Sequence, residues 1–156
     1  MGLDHTFWKG KNVFLTGHTG FKGSWLSIWL TSLGAKVVGL SIDIPSDPSN
    51  YKASKVENFV DNYEIDIRDY DSVRELVLKL KPDFIFHLAA KSLVRPSYNL
   101  PLETISTNSM GTANILEAAK SLKKTVVLVM ITSDKAYDNV EWPWGYRETD
   151  KLGGKD

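Results

Sequence analysis

The chain has 156 residues and a mass of 17.5 kDa, enough for one domain with a real core, and 42% hydrophobic with 24% charged residues is an ordinary soluble composition. Nineteen basic against nineteen acidic side chains leave no cation surplus for general nucleic-acid binding, and the lack of cysteine excludes disulfides, zinc–thiolate sites and thiol nucleophiles. The longest apolar run, residues 126–131, is too short for a bilayer, and no signal-peptide stretch opens the chain, so a cytoplasmic protein without membrane partners is expected.

Residues 12–16 are a short apolar run between Lys11 and Gly17, which suits a buried strand. In residues 21–33 the apolar side chains Trp25, Leu26, Trp29, Leu30 and Leu33 recur at helical spacing, and Gly34 supplies the stop. Residues 36–42 read as a second strand, and Pro45 and Pro48 open a polar loop reaching to about Lys55. A third strand is expected at residues 63–65. Asp69 or Asp71 then caps a helix with the stripe Val73, Leu76, Val77 and Leu80, closed by Lys79, Lys81 and Pro82. Residues 83–88 form a fourth strand, 102–122 a long helix and 125–131 a fifth strand. Strands and helices alternating at this spacing predict an α/β fold, a Rossmann-like doubly wound parallel sheet whose apolar strands are covered on both faces. After Ile131 the chain turns polar and aromatic and shows no sixth strand. The fifth strand is therefore expected to have an open edge, a route to self-association.

The most informative stretch is Thr16-Gly17-His18-Thr19-Gly20-Phe21-Lys22-Gly23, between the first strand and the first helix. There Gly17 permits a tight turn, Gly20 lets the backbone approach a diphosphate, and Gly23 lets the helix pack close to the strand. The helix N-terminus meanwhile presents unpaired N–H groups to the anion. The turn lacks the Gly-Lys-Ser/Thr ending of a nucleoside triphosphatase loop, so a dinucleotide is the better match; the alternative is a strand–helix turn with no ligand. Asp43 closes the second strand, 20 residues after Gly23. A carboxylate there accepts both ribose hydroxyls and repels a 2′-phosphate, favouring NAD over NADP, unless it is simply a solvated loop acid. After the third strand, Asp66 either meets the adenine amino group, with Ile67 packing on the ring, or caps the following helix. His18, inside the turn, faces phosphate or solvent on this reading and receives no chemistry, and the three histidines are too scattered for a metal triad, so no metal is expected.

The glycine turn, Asp66-Ile67-Arg68-Asp69, His87-Leu88-Ala89-Ala90 and Thr107-Asn108-x-x-Gly111-Thr112 resemble the extended short-chain dehydrogenases/reductases that act on nucleotide sugars. The residues from His18 to Leu26, Thr132-Ser133-Asp134-Lys135-x-Tyr137, and Glu141-Trp142-Pro143-Trp144-Gly145-Tyr146-Arg147-Glu148 are similar to the CDP-glucose 4,6-dehydratase branch of that family. The resemblance implies NAD as cofactor, CDP-glucose as the sugar-nucleotide substrate and a homo-oligomer. It implies cofactor contacts from Gly17, Thr19, Gly20, Phe21, Gly23, Asp43, Asp66, Ile67, Ala89 and Ala90. Asn108 ties its helix to the fourth strand. Ser133 hydrogen-bonds the sugar 4-oxygen, Asp134 is the acid for the 6-hydroxyl, and Lys135 is the C5 base, for which it must be partly neutral. Lys91 stands where the family commonly has glutamine.

The family's Tyr-x-x-x-Lys is expected just beyond residue 156, with the last strands and a sugar-nucleotide domain, so residues 1–156 read as an incomplete NAD-binding domain. The one literal match, Tyr51 to Lys55, lies in the loop after the second strand and reads as coincidence. The chain by itself should show no dehydratase turnover, because nothing is placed to deprotonate the 4-hydroxyl; an assay of the purified chain with CDP-glucose checks this. Two further readings share the fold: an epimerase or reductase of the same family, which has no need of the Asp134-Lys135 pair, and a non-catalytic NAD-binding module.

Overall fold

The computed structural model describes residues 6–153. Five strands form one parallel sheet: β1 (Asn12–Thr16), β2 (Lys36–Ser41), β3 (Asp61–Glu64), β4 (Phe84–His87) and β5 (Val127–Met130), in the order β3-β2-β1-β4-β5. Chain direction along the sheet reverses between β1 and β4, so the crevice beside β1 is the switch point of a doubly wound sheet. Helix α1 (Phe21–Ser32) covers one face with the short α2 (Asn50–Ala53) and a 3-10 turn at Val56–Asn58, while α3 (Tyr70–Leu80) and α6 (Gly111–Lys120) pack on the other. Between β4 and α6 lie α4 (Val94–Asn99), α5 (Pro101–Ile105) and a π turn at Ser106–Met110.

Two apolar cores follow from the pleat. Phe14, Leu40 and Ile85 meet Val73, Leu76 and Val77 of α3 and Ile115 and Ala118 of α6; Val13, Leu15 and Val37 meet Leu30 of α1, together with Tyr51, Val56 and Val60. The α3 stripe is the expected one. Its N-cap is Asp69, which accepts from Ser72 N–H, rather than Asp71.

Several expectations need adjustment. The long helix expected over residues 102–122 runs from Pro101 to Lys120 but carries a π segment at Ser106–Met110; Leu102 and Ile105 lie exposed, and only α6 carries a buried stripe. On α1 the sheet-facing residues are Gly23, Ser24, Ser27 and Leu30, and Trp25 and Trp29 point outward. Close helix–sheet packing at the glycine turn selects small side chains there, overriding the apolar spacing. The third strand begins at Asp61 rather than residue 63 and is an exposed polar edge, and its pairing with β2 sets its register. The loop after β2 is not structureless, because α2 seats the buried Tyr51 against the core.

Candidate functional site

In a parallel sheet every strand delivers its following loop to the same edge. The residues singled out after β1 (Gly17–Gly23), β2 (Asp43), β3 (Asp66, Ile67), β4 (Ala89, Ala90) and β5 (Ser133–Lys135) therefore line one carboxyl rim.

The glycines of the turn divide their work. Gly17 sits at φ +73°, where side chains are strained, and its N–H donates to Leu40 O at 2.7 Å. A Cβ on it would lie 2.7 Å from Ala89 N, so the turn and the loop after β4 touch through bare backbone. A Cβ on Gly23 would stand 2.1 Å from Gly17 O. At Gly20 a Cβ would meet only Gly17 O, at 3.3 Å. Two positions are thus closed by protein, and the third opens on free space at the start of α1. No side chain caps α1 and no acid stands in its first turn, which leaves its positive end for an anion. Phe21, the first residue of α1, turns its ring outward, so what it can offer an anion is backbone. This is a cradle of the shape and polarity that a dinucleotide's diphosphate requires.

His18 faces neither phosphate nor solvent. Its ring is fully buried against Gly39, with Nδ1 3.3 Å from Ser41 Oγ and Tyr51 edge-on at 5.5 Å between ring centroids. Burial pulls its pKa below the ordinary value. Tyr51 is therefore a packing residue, and the Tyr51–Lys55 spacing has no catalytic placement. The Thr19 hydroxyl donates to Asp43 O at 2.6 Å and pins the turn to the end of β2. The Asp43 side chain is exposed at the rim, two residues past β2.

After β3, Asp66 Oδ1 accepts the Arg68 N–H at 2.9 Å, and its carboxylate is gripped by the Arg68 guanidinium at 2.5 Å. That bonded guanidinium holds the Asp66 carboxyl below the usual range. Capping of α3 falls to Asp69, so Asp66 is not the cap. Ile67 is 4% exposed and its side chain packs on Gly111 of α6, which commits that side chain to the core rather than to a ring laid over it.

At the β1–β4 junction is a network that sequence reasoning missed. Ala89 N–H donates to Thr16 Oγ1 at 3.2 Å, Thr16 Oγ1 lies 2.7 Å from His87 Nδ1, and His87 Nε2 lies 3.1 Å from Thr112 Oγ1. A neutral His87 donates from one ring nitrogen and accepts at the other, so either tautomer is satisfied between the Thr16 and Thr112 hydroxyls. Burial pushes the His87 pKa down to about 4, in keeping with that neutral form. The available signal was a histidine within an apolar strand next to two threonines elsewhere in the chain, and only topology joins them. Ala90 follows at the rim, exposed.

Asn108 lies in the π turn. Its Oδ1 accepts Lys91 N–H at 2.7 Å and its Nδ2 donates to Lys91 O at 3.0 Å, fastening the helix to the loop after β4 that carries Ala89 and Ala90. The Lys91 ammonium pairs with Glu103 at 2.9 Å, which keeps it on α5. Beyond β5, Ser133 Oγ accepts Lys135 N–H at 3.2 Å across a 3-10 turn at Asp134–Ala136; the Asp134 side chain lies outside the described part. The aromatic stretch then folds back. Tyr137 bridges Leu152, stacks on Tyr146 at 5.0 Å and 6°, and the Tyr146 hydroxyl donates to Asn139 Oδ1 at 2.9 Å. Among the described residues no three His, Asp or Glu side chains gather as a metal site, and no helix is long and apolar enough to cross a membrane.

A family model described as GDP-mannose 4,6 dehydratase matches residues 14–154. The chain is 50% identical over 154 residues to the CDP-glucose 4,6-dehydratase of Salmonella typhimurium, covering 99% of this chain and 43% of that protein. Among solved structures, a UDP-glucose-4-epimerase from Stenotrophomonas maltophila with bound NAD and formylated UDP-arabinopyranose superposes with a TM-score of 0.79 at 26% identity, covering 92% of this chain and 43% of that one. A Thermus thermophilus UDP-glucose 4-epimerase in complex with NAD gives 0.78, also at 26% identity, with 92% and 44% covered. The chain thus spans less than half the length of these relatives.

Proposed function

From the premise that the chain belongs to the GDP-mannose 4,6-dehydratase family of nucleotide-sugar dehydratases and epimerases, we propose that its carboxyl rim holds NAD and forms the cofactor half of a CDP-glucose 4,6-dehydratase. The observation carrying this is the glycine turn, whose one open glycine faces the uncapped start of α1. The diphosphate lies on the Phe21 amide at the uncapped start of α1, Asp43 accepts the adenosine ribose hydroxyls, and Asp66 accepts the adenine amino group. The bare backbone of Ala89 and Ala90, held by Thr16 and Asn108, lets the nicotinamide end pass toward β5.

When bound, NAD supplies a hydride acceptor for sugar C4 and returns the hydride to C6. The Ser133 hydroxyl hydrogen-bonds the 4-oxygen. Once C4 is a ketone the C5 proton is acidic, and Lys135 is the base that takes it while the Asp134 carboxyl protonates the departing 6-hydroxyl, so water leaves. Proton removal from the 4-hydroxyl needs a further base, the role that the resemblance gives to a Tyr-x-x-x-Lys pair. The 50% identity to a CDP-glucose enzyme supports the substrate, and Asp134-Lys135 favours dehydration over simple epimerisation.

Calorimetric titration of the folded chain should give saturable binding of NAD with NADP much weaker. Asp43→Asn removes the charge facing the 2′ position and is expected to narrow that preference on the order of tenfold. A folded chain that binds neither coenzyme overturns the reading.

A further inference from the structure

We propose that Asn114 of α6 is a positioning residue for the adenosine end of the coenzyme, holding the loop that presents the Asp66 carboxylate; this rests on NAD occupying the carboxyl rim. The loop is residues 65–69, between β3 and α3. Asn114 stands half-buried against it, and its amide nitrogen donates to Ile67 O at 2.9 Å and to Arg68 O at 3.0 Å. Both partners are carbonyls, so only the nitrogen end of the amide can face them, and both of its protons are used. A side chain this short reaches the loop because α6 lies close to it. Gly111 is one turn earlier on the same face, and a Cβ there would run into the Ile67 side chain. The glycine brings the helix in, Ile67 fills the contact, and Asn114 makes the bonds.

The two bonds reach Asp66 through rigid units. In a trans peptide the C=O and the N–H point in opposite directions. The peptide that ends in Ile67 O carries the Arg68 N–H, which donates to Asp66 Oδ1 at 2.9 Å. The next peptide, which holds Arg68 O, carries the Asp69 N–H, which donates to Asp66 O at 3.0 Å. Asn114 therefore holds, from the far side, both peptide units whose N–H groups bond Asp66, one at its side chain and one at its backbone. The Arg68 guanidinium also binds the carboxylate, but it rides on a long exposed side chain that can swing aside when an adenine amino group arrives. The Arg68 N–H cannot move while its peptide is held, so Oδ1 stays fixed and the carboxylate keeps one direction. Both carbonyls lie near the surface, where water would satisfy them, so the bonds add little to stability and what they contribute is orientation.

Calorimetric titration of the full 156-residue chain with NAD and with its hypoxanthine analogue tests this, because the analogue carries an oxo group where adenine has its amino group. The wild type should prefer NAD by roughly tenfold or more, the worth of one hydrogen bond to a charged acceptor. Asn114→Leu and the isosteric Asn114→Asp both remove the donated hydrogens. Each should weaken NAD about tenfold and move the analogue by less than about threefold, with urea midpoints close to the wild type. The two ligands are compared on one preparation at a time, so a partial loss of folded chain cancels from their ratio. Variants that keep the full preference for NAD overturn the proposal. So does equal weakening of both ligands, which would make Asn114 a general support of the fold. Either result leaves NAD at the rim, whereas a wild type that binds neither ligand removes that reading and this inference together.

Discussion

Gly23→Ala is expected to destabilise the chain by about 3 kcal/mol, the upper range for overpacking, and to abolish NAD binding. The added methyl would stand 2.1 Å from Gly17 O and 2.7 Å from His18 Cα, both backbone, so no side chain can swing aside. Relief requires α1 to lift from β1, which opens the core around Leu30 and spoils the diphosphate cradle together. Gly20→Ala separates these effects. Its φ of −70° suits any residue and its Cβ meets only Gly17 O at 3.3 Å, so stability should change by no more than about 1 kcal/mol. The methyl would nevertheless occupy the space left for the ligand. Urea melts paired with coenzyme titrations of both variants check the contrast; equal loss of stability in the two would refute the division of work within the turn.

The second large effect is a loss of stability on acidification, centred on His87. With its folded pKa pushed down to about 4 against an ordinary 6.5, His87 stays neutral in the native chain while the unfolded chain takes up a proton. Stability is complete above pH 6.5, falls as the pH drops through the window to 4, and has lost about 3 kcal/mol from this group at the bottom. His18, also depressed by burial, acts with the same sign. Asp66 and Asp83, held below the usual carboxylate range by Arg68 and Lys124, lose their contributions only at lower pH, so the histidine window is separable. Denaturant midpoints taken between pH 7 and 4 should show the slope in the wild type. His87→Gln cannot titrate and should flatten most of it.

What could be read from the chain beforehand was whatever depends on local spacing. The glycine turn, the α3 stripe and the alternation of strands and helices are set by neighbours within a few residues, and they stand where expected. The same holds for the rim positions of Asp43, Ala89 and Ser133, since a parallel sheet sends every such loop to one edge. What escaped the reading depends on partners distant in sequence. Trp25 and Trp29 have the spacing of core residues, but the closeness demanded at Gly23 excludes large side chains from the sheet side. The identity of Gly39, across the strand, decides that His18 is buried, and three separate segments meet to form the Thr16–His87–Thr112 chain. The π turn before α6 carries no residue pattern of its own; Asn108 signals it only once its two bonds to Lys91 are visible.

The polarity of the sheet has a practical corollary. Phe7 and Trp8 pack beside Phe84, where β4 begins, and so lie at the end of the sheet opposite the rim that gathers the ligand residues. A support, dye or fusion partner attached upstream of Trp8 would leave that rim turned toward bulk solution. Coenzyme capture could then be followed on an immobilised chain in its native orientation.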